Sequence, residues 1–322
     1  MPESNVCIAK VSITSVLPQL DRLFDYQLPL ELRQGAAPGV RVKVPFGRSK
    51  KLQDGFIVEL SENTDYPGEL GSIVEIVSSV PVLQPEIYRL ARAVADRQAA
   101  TLTEVLKHAI PDRSVAIEKS WLEKQAMNRP SLIQGAGQSL IASSPDAKSE
   151  VGAARTTQIV EPRVLSNGAQ WTKEILDLTS AQHKQKKSTL IIVPDARDQS
   201  LLLAALAESE LADDTVDYSS KLLKSKRYKA FLDCLSKEFS IVVGSRSTIF
   251  APVRNLGQII IWDDGDHSHK DKSAPYSHTR DIALIKQQQE NCELHFLGHV
   301  RSTEVERLRP VSYTHLRAHE TG

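Results

Sequence analysis

The residues best suited to chemistry near the start of the sequence form a basic run. Between Leu32 and Gln53 there are six cations and no acid, namely Arg33, Arg41, Lys43, Arg48, Lys50 and Lys51. Val40, Val42 and Val44 alternate with two of these cations, which places valines on one face of a strand and cations on the other. A cationic face can hold the phosphates of a nucleic acid. The alternative is a solvated strand face without a ligand, and composition does not decide between them.

A second basic run lies on a predicted helix near residue 225. Its cations are Lys221, Lys224, Lys226, Arg227 and Lys229. Such a run is more often a solvated helix face than a DNA contact, so it carries less weight than the basic strand.

Acids and histidines follow an apolar strand in the last third of the chain. The strand Ile259-Ile260-Ile261 leads into Trp262-Asp263-Asp264-Gly265-Asp266-His267-Ser268-His269. An apolar strand that ends in acids is typical of a Walker B element, in which a carboxylate holds magnesium. Two alternatives remain open: a divalent-metal site built from Asp and His, and a solvated turn that ends the strand. On the first interpretation, Asp263 and Asp264 are what remains of a nucleotide site.

No phosphate-binding loop accompanies those acids. A lobe that hydrolyses nucleotide usually carries GxxxxGK(S/T), whose amides and lysine hold the phosphates. The sequence has no such motif. The most suitable position, after a strand predicted near Gln158–Val160, reads Leu165-Ser166-Asn167-Gly168-Ala169-Gln170-Trp171-Thr172, with one glycine and no lysine at the required spacing.

The composition is that of an ordinary globular protein. Of the 322 residues, 41% are hydrophobic and 25% charged, and 40 basic residues balance 40 acidic ones. Net charge therefore says nothing about a nucleic-acid partner. Cys7, Cys234 and Cys292 are too scattered for a disulfide framework or a zinc site. Without a basic-then-apolar leader or an apolar run of about 18 residues, we expect a cytoplasmic protein with no membrane partner.

The elements that position the basic run are mostly strands. Besides the valine strand, we predict strands at Cys7–Ile13, Phe56–Leu60 and Ser72–Val77, separated by Pro-Gly and Phe-Gly turns. Short strands at this spacing favour a small barrel-like β domain. Two helices at 3.6-residue spacing follow, the first beginning near Pro85 and the second ending at Pro111.

The last part of the sequence alternates helices and apolar strands, which favours a doubly wound parallel sheet. Helices are predicted at Trp171–Leu178, Leu201–Leu211, Lys221–Cys234 and Asp281–Gln289, and strands at Ser188–Val193, Ser240–Val243, Gln258–Ile261 and Cys292–Leu297. Residues 111–155 lack a clear period and are predicted to be a linker with one short helix at most. Residues 309–322 resemble translated vector sequence, so we expect a non-native tail, the alternative being a genuine flexible tail. In either case we expect the chain to be cut short inside a domain.

Several of these segments resemble the primosomal protein N′ (PriA) family of replication-restart helicases. The similar stretches cover roughly residues 6–110 and 155–308, and they are Leu17 to Tyr26 (LPQLDRLFDY), Pro38 to Arg48 (PGVRVKVPFGR), Val74 to Val77 with Pro81 to Leu83, Ile192 to Asp195, and Val242 to Pro252 (VVGSRSTIFAP). Asn255-Leu256-Gly257 then leads into the Ile259 strand. The combination is specific, whereas no single stretch would suffice.

The resemblance implies an α/β protein with an N-terminal 3′-end DNA-binding domain over 1–110 and a partial RecA-like helicase lobe over 156–308. It implies that Phe24 stacks on the terminal base and that Asp25 accepts a hydrogen bond from the 3′-hydroxyl. Gly39 would let the backbone approach that end, while Arg41, Lys43 and Arg48 would hold phosphates. This chemistry is sound, because aromatic faces stack bases and a carboxylate accepts from a hydroxyl but repels a phosphate. The alternative for Phe24 is a core-facing strand residue.

The sequence departs from the family pattern in several places. Asp-Glu-Glu-His at the end of the Walker B strand is Trp262-Asp263-Asp264-Gly265 here, and a Ser-Ala-Thr motif after Gly298 reads His299-Val300-Arg301. Together with the missing phosphate loop, these are three departures that each remove part of the ATP-hydrolysing machinery. The pattern resembles the ATPase-degenerate members of the family in actinobacteria. A lysine usual before the Val74 strand is Gly71, and a winged-helix domain is absent or very short.

These observations predict a DNA-binding replication-restart protein that recognises stalled forks or nascent 3′ ends without hydrolysing ATP. Two alternatives stay open. One is an active ATP-dependent 3′-to-5′ helicase that uses Lys173 and Asp263, and the other is a scaffold for other primosome proteins. The family implies ATP, magnesium and structural zinc, the zinc ligands lying beyond the end of this chain, and we expect no cofactor within it. DNA, other primosome proteins, single-stranded-DNA-binding protein and a helicase loader are the implied partners.

Overall fold

The chain forms two β-sheets joined and covered by helices. The computed structural model describes residues 7–128, 139–141, 160–164, 171–219 and 221–308. None of the helices in these ranges combines the length and the apolar character needed to span a bilayer.

The first sheet is antiparallel and has the order β2-β1-β4-β3-β5. Its strands are β1 (Ile8–Ile13), β2 (Leu23–Gln27), β3 (Arg41–Phe46), β4 (Lys51–Ser61) and β5 (Glu75–Ser78). The predicted alternation in β3 is confirmed, since Val42 and Val44 are fully buried in the core of this sheet with Val11 and Ile57.

The sheet curls into a barrel-like unit because one segment joins its two halves. Gln27 of β2 exchanges backbone hydrogen bonds with Gly71 (2.8 Å) and Ile73 (3.0 Å). The amide of Val74 donates to the carbonyl oxygen of Lys43 in β3 at 3.0 Å. The segment from Gly71 to Val74 therefore satisfies edges that would otherwise be open, and the predicted barrel-like β domain is confirmed.

Three helices follow the barrel: α1 (Pro85–Arg97), α2 (Leu102–Ala109) and α3 (Val115–Asn128). Pro85 occupies the first turn of α1, where a missing amide is no loss. Thr101 and Glu104 form a capping box that begins α2. The apolar faces of α1 and α2 pack into a core shared with one face of the second sheet.

The second sheet is parallel, with the order β6-β11-β10-β7-β9-β8. Its strands are β6 (Val160–Val164), β7 (Ser188–Ile192), β8 (Thr215–Tyr218), β9 (Ile241–Gly244), β10 (Leu256–Trp262) and β11 (Glu293–Gly298). Its helices are α4 (Trp171–His183), α5 (Ala196–Ala207), α6 (Lys224–Ser236), α7 (Thr279–Glu290) and α8 (Thr303–Glu306).

Helices cover both faces of this sheet, which confirms the predicted doubly wound lobe. On one face, Ile175 of α4 and Leu202 of α5 pack against alternate strand residues such as Ile191 and Ile260. On the other, Phe231 of α6 and Ala283 of α7 pack with α1 and α2. Burial on both faces explains why β7, β9 and β10 are continuous apolar runs.

The region predicted as a linker contains an ordered helix. Helix α3 occupies 115–128, and its Glu118 is only 2% exposed because it contacts Tyr228 of α6. Apart from residues 139–141, the rest of 129–155 lies outside the described residues, as does the tail 309–322. The boundaries at 110 and 155 stay predictions.

Candidate nucleic-acid interface

The residues predicted to read a 3′ end lie on β2, an edge strand of the first sheet. In the register of β1 and β2, Phe24 lies opposite Val11 and Asp25 lies opposite Lys10. Neighbouring residues of a strand point to opposite faces. The ring of Phe24 therefore lies on the barrel side with the buried Val11, and the carboxylate of Asp25 lies on the outer side.

The side chain of Phe24 packs against the core of the barrel and is only partly buried. Its ring meets that of Phe46 edge to face, with 5.1 Å between centroids, and the guanidinium of Arg22 lies 4.8 Å from its centroid. Both contacts favour the π system. The core-facing alternative is thus partly realised, and a base that stacked on Phe24 would have to share or displace the Arg22 position.

The carboxylate of Asp25 has one hydrogen-bond partner among the described residues. The Thr64 hydroxyl donates to its Oδ2 at 2.5 Å. Thr64 lies in the loop after β4, and its hydroxyl also accepts from the amide of Tyr66 at 3.0 Å. The carboxylate therefore already receives a hydroxyl donor of the kind that a 3′-terminal sugar would offer.

Gly39 has a structural role of its own. It has φ of +90°, and a Cβ there would lie 2.4 Å from the carbonyl oxygen of Leu83. Gly47, at the other end of β3 and next to Phe46, also has a positive φ (+71°), but a Cβ there would meet nothing within 4 Å. A side chain at Gly39 would therefore meet backbone, whereas the turn at Gly47, beside Phe46, is open.

Arg41 lies beneath the helices and not on an open face. Its guanidinium donates to the carbonyl oxygen of Pro111 at 3.1 Å and lies 5.7 Å from the centroid of Phe56. Burial lowers the pKa of Arg41, which is a measure of its removal from water. The cations of β3 project from the face opposite the valines, as predicted. Arg41, however, is covered on that face by α2 and the turn that follows it.

The other basic residues differ in exposure and in whether they form an ion pair. Lys43 forms an ion pair with Glu75 at 3.2 Å, whereas Arg48 is exposed in the turn that follows Phe46 and Gly47. Of the three cations predicted to hold phosphates, Arg48 is thus the one next to the Phe24–Phe46 contact. In the second basic run, Lys224 pairs with Asp112 and Lys229 with Asp233, as expected of a solvated face.

Two residues at this interface were not singled out from the sequence. Phe46 is part of a Pro-Phe-Gly turn, and an aromatic before a turn glycine at the end of a strand was the available signal. Thr64 had no signal, because only the folded loop brings its hydroxyl to Asp25. We define the β2 edge as Phe24, Asp25, Phe46, Arg48 and Thr64.

A stacked aromatic pair lies at the carboxyl end of β10, where ligands bind in doubly wound sheets. Trp262 ends the strand, and Trp171 begins α4; their rings lie 4.6 Å apart at an interplanar angle of 14°. The indole nitrogen of Trp262 donates to Asp198 Oδ2 at 3.2 Å, and His299 meets the ring edge on. Residues 165–170, where a phosphate loop was sought, lie outside the described residues.

The two acids after Trp262 have separate environments. Asp264 is buried, and its Oδ2 accepts from Arg280 Nη1 at 2.9 Å and from the Ser302 hydroxyl at 2.6 Å. Asp263 is exposed in a left-handed turn with φ of +47°, and its pKa is raised by partial burial and by Asp266. Asp264 is thus committed to an internal ion pair with Arg280, and the Trp262 indole precedes Asp263 at the end of the strand.

The metal alternative for the acid–histidine stretch has no geometric support in the described part of the chain. There, no three His, Cys, Asp or Glu side chains are gathered as a metal site would require. His269 is instead buried, and its Nε2 lies 2.9 Å from the carbonyl oxygen of Trp262. Burial lowers the pKa of His269, which favours the neutral ring.

Comparison with known proteins gives a family match over the first domain. A family model described as a 3′ DNA-binding domain (3′BD) matches residues 11–111. This range contains the whole β2 edge, the barrel except for the first three residues of β1, and helices α1 and α2.

The similarity to whole proteins extends over both sheets. The chain is 32% identical over 309 residues to the probable replication restart protein PriA of Mycobacterium leprae, covering 93% of this chain and 46% of that protein. It is 33% identical over 308 residues to the protein of that name from Mycobacterium tuberculosis, and 24% identical over 283 residues to the replication restart protein PriA of Rickettsia conorii. The chain spans about half the length of the mycobacterial relatives.

Proposed function

Since the chain belongs to the PriA family of replication restart proteins, we propose that its β2 edge captures the 3′-hydroxyl end of a nascent leading strand at a stalled fork. The observation that carries this proposal is the Thr64–Asp25 hydrogen bond, in which a carboxylate on the outer side of β2 accepts from a hydroxyl. Restart without nucleotide hydrolysis is the second part of the proposal.

The β2 edge has the three chemical features that end recognition needs. Asp25 offers a hydrogen-bond acceptor whose negative charge disfavours a terminal phosphate. Phe24 and Phe46 offer aromatic surface, and stacking on such rings contributes about 1–3 kcal/mol per base. Arg48 offers an exposed cation for the adjoining backbone.

The second part rests on the end of β10. Phosphoryl transfer needs a lysine, a magnesium ion and carboxylates held together. Here the Trp262 indole stands in the strand-end position and Trp171 stacks over it, while Arg280 binds Asp264. These contacts support a lobe that positions and stabilises the DNA-binding unit without turning over ATP.

Binding of the full chain to forked DNA without nucleotide tests the proposed function. We expect anisotropy to show tighter binding to a fork whose leading-strand 3′ end lies at the junction than to one whose end is recessed by a gap. The two substrates carry nearly equal charge, so diffuse phosphate attraction cannot produce the difference. Equal affinities in the absence of nucleotide would refute end capture.

Removing the Thr64 hydroxyl should strengthen capture of a 3′-hydroxyl. Thr64→Val keeps the side-chain shape but frees Asp25 Oδ2, so the terminal hydroxyl no longer competes with an internal donor. We expect affinity for the hydroxyl-ended fork to rise about threefold to tenfold, with no gain for a phosphate-ended fork. Anisotropy titrations measure both. A loss of affinity for the hydroxyl end would instead show that Thr64 orients the carboxylate for its ligand.

The lobe should show no saturable binding of ATP with magnesium. A fluorescent ATP analogue measures this directly, and the intrinsic fluorescence of the stacked tryptophans should stay unchanged on adding ATP. The helicase alternative makes the opposite prediction: saturable binding that Asp263→Ala abolishes. Asp266→Ala is a matched control, because that acid lies in the same turn and its side chain accepts from the backbone of Ser268.

A further inference from the structure

An exposed arginine covers the aromatic ring of Phe24 at the β2 edge. The guanidinium of Arg22 lies 4.8 Å from the centroid of that ring, which is within the range of a cation–π contact. Arg22 is exposed, whereas Phe24 is partly buried and packs against the core of the barrel. On the side that Arg22 covers, the guanidinium therefore lies between the ring and the solvent.

A second aromatic ring restricts the access to Phe24 further. Phe46 meets it edge to face, with 5.1 Å between the centroids and an interplanar angle of 79°. The Phe24 ring thus has the core, Phe46 and Arg22 as neighbours. A base that approaches over the side covered by Arg22 meets the guanidinium before it meets the ring.

The backbone that carries Arg22 is anchored. Its amide donates to the carbonyl oxygen of Leu20 at 2.8 Å. The carboxylate of Asp21 accepts from the amide of Leu102 at 3.1 Å and from Arg92 Nη1 at 2.7 Å, which ties this loop to α2 and α1. The guanidinium of Arg22 has neither a hydrogen bond nor an ion pair with the residues that the structure describes, so no acid among them draws it off the ring.

We propose that the guanidinium of Arg22, backed by the ring of Phe24, is the surface on which the 3′-terminal base stacks. This inference rests on the proposed capture of a 3′ end by the β2 edge, and it names the side chain that contacts the base. A guanidinium is planar and weakly hydrated, and it stacks on aromatic rings and on nucleobases alike. Every base has a π face, so this contact requires no particular base sequence.

Lysine at position 22 separates stacking from charge. An ammonium group is a compact and strongly hydrated point charge, and it has no plane on which a base could stack. Arg22→Lys therefore keeps the attraction for the DNA backbone while it removes the stacking surface. Because the guanidinium is exposed and bonds to none of the described side chains, this substitution should not disturb the fold.

The test uses two forks that both end in a 3′-hydroxyl, one with a base on the terminal nucleotide of the leading strand and one abasic there. Anisotropy titrations of the full chain at constant ionic strength give the ratio of the two affinities. We expect the wild-type chain to bind the base-bearing fork about tenfold more tightly. In Arg22→Lys this ratio should approach unity, while the affinity for the abasic fork stays as in the wild type. Arg254→Lys is the matched control and should keep the wild-type ratio, because Arg254 is exposed at the amino end of β10 in the lobe.

Three results would overturn the stacking role of Arg22. They are a ratio near unity in the wild-type chain, an unchanged ratio in Arg22→Lys, and an equal decrease in Arg254→Lys. An increased ratio in Arg22→Lys would overturn it as well, since the base would then displace the cation and stack on Phe24. Forks ending in a hydroxyl or a phosphate, bound by the wild-type chain, separate these failures from that of end capture. If the hydroxyl is preferred, end capture stands and only the role of Arg22 is refuted; without that preference, both are refuted.

Discussion

Replacing Glu118 by alanine is expected to lower the free energy of unfolding by about 3–5 kcal/mol. Glu118 is nearly fully buried, and Oε1 accepts from Arg113 Nη2 at 2.7 Å and from its Nε at 3.0 Å. The hydroxyl of Tyr228, itself buried, donates to the other oxygen. Alanine would leave a buried phenol without a partner and a guanidinium without its counter-ion. Chemical denaturation of the full chain measures the loss.

The carboxylate of Glu118 should also make the free energy of unfolding depend on pH in the acid range. Burial alone would raise the pKa of Glu118, but hydrogen bonds from Arg113, Tyr228 and Ser78 outweigh it, so the folded pKa lies below the usual 4.5. A group with a depressed folded pKa contributes its full stability above the unfolded pKa and loses it as pH falls through the folded value. Glutamine cannot be protonated in this range. The free energy of unfolding of Glu118→Gln should therefore fall less steeply below pH 4.5 than that of the wild-type chain.

Glu123→Ala is the matched control for that prediction. Glu123 lies on the same helix, is exposed, and forms no ion pair with the described residues. Its removal should change stability by no more than about 0.5 kcal/mol. If Glu118→Ala and Glu123→Ala changed the free energy of unfolding equally, the contact between Glu118 of α3 and Tyr228 of α6 would not stabilise the fold.

Alanine at Gly39 is expected to destabilise the barrel by about 2–5 kcal/mol. Two causes add: the positive φ, which is strained for any residue with a Cβ, and the approach of that Cβ to 2.4 Å from the Leu83 carbonyl oxygen. Because this contact is backbone, it cannot be relieved by a side-chain rotation. Thermal and denaturant unfolding measure the effect.

Gly47→Ala separates these two causes. Gly47 has the positive φ but open space around it, so alanine there should cost only about 1–2 kcal/mol. If Gly39→Ala were as mild as Gly47→Ala but weakened fork binding, the sequence-based role of Gly39 in approaching DNA would be favoured over its packing role.

Much of the fold could be predicted because the signals are local. The valine alternation of β3 and the apolar runs of β7, β9 and β10 reflect burial on one face and on two faces, respectively. The sequence did not reveal β8, since Thr215 to Tyr218 is short and follows an acidic turn. The first half of β4 was also missed, because Lys51 to Asp54 has one apolar residue, the half-exposed Leu52, and is held by its ladder with β3.

The site was less predictable because it depends on which elements meet. Period two already implies that Phe24 and Asp25 point to opposite faces. Nothing local indicates that α2 covers Arg41, that Thr64 reaches Asp25, or that Trp171 stacks on Trp262. These are contacts between segments far apart in the chain, and they decide which of several chemically suitable residues are free to bind.

The proposed role of Asp25 is to accept a hydrogen bond from a 3′-hydroxyl. The most direct test is anisotropy binding of the full chain to forks identical except for a leading-strand 3′-hydroxyl or 3′-phosphate. The wild-type chain should prefer the hydroxyl by about tenfold or more, because a hydrogen bond to a charged group contributes about 1.5–3 kcal/mol. Asp25→Ala should erase the preference, and Asp54→Ala, which removes an exposed acid from β4, should keep it. Equal binding of the two ends by the wild-type chain would contradict recognition of the 3′-hydroxyl by Asp25.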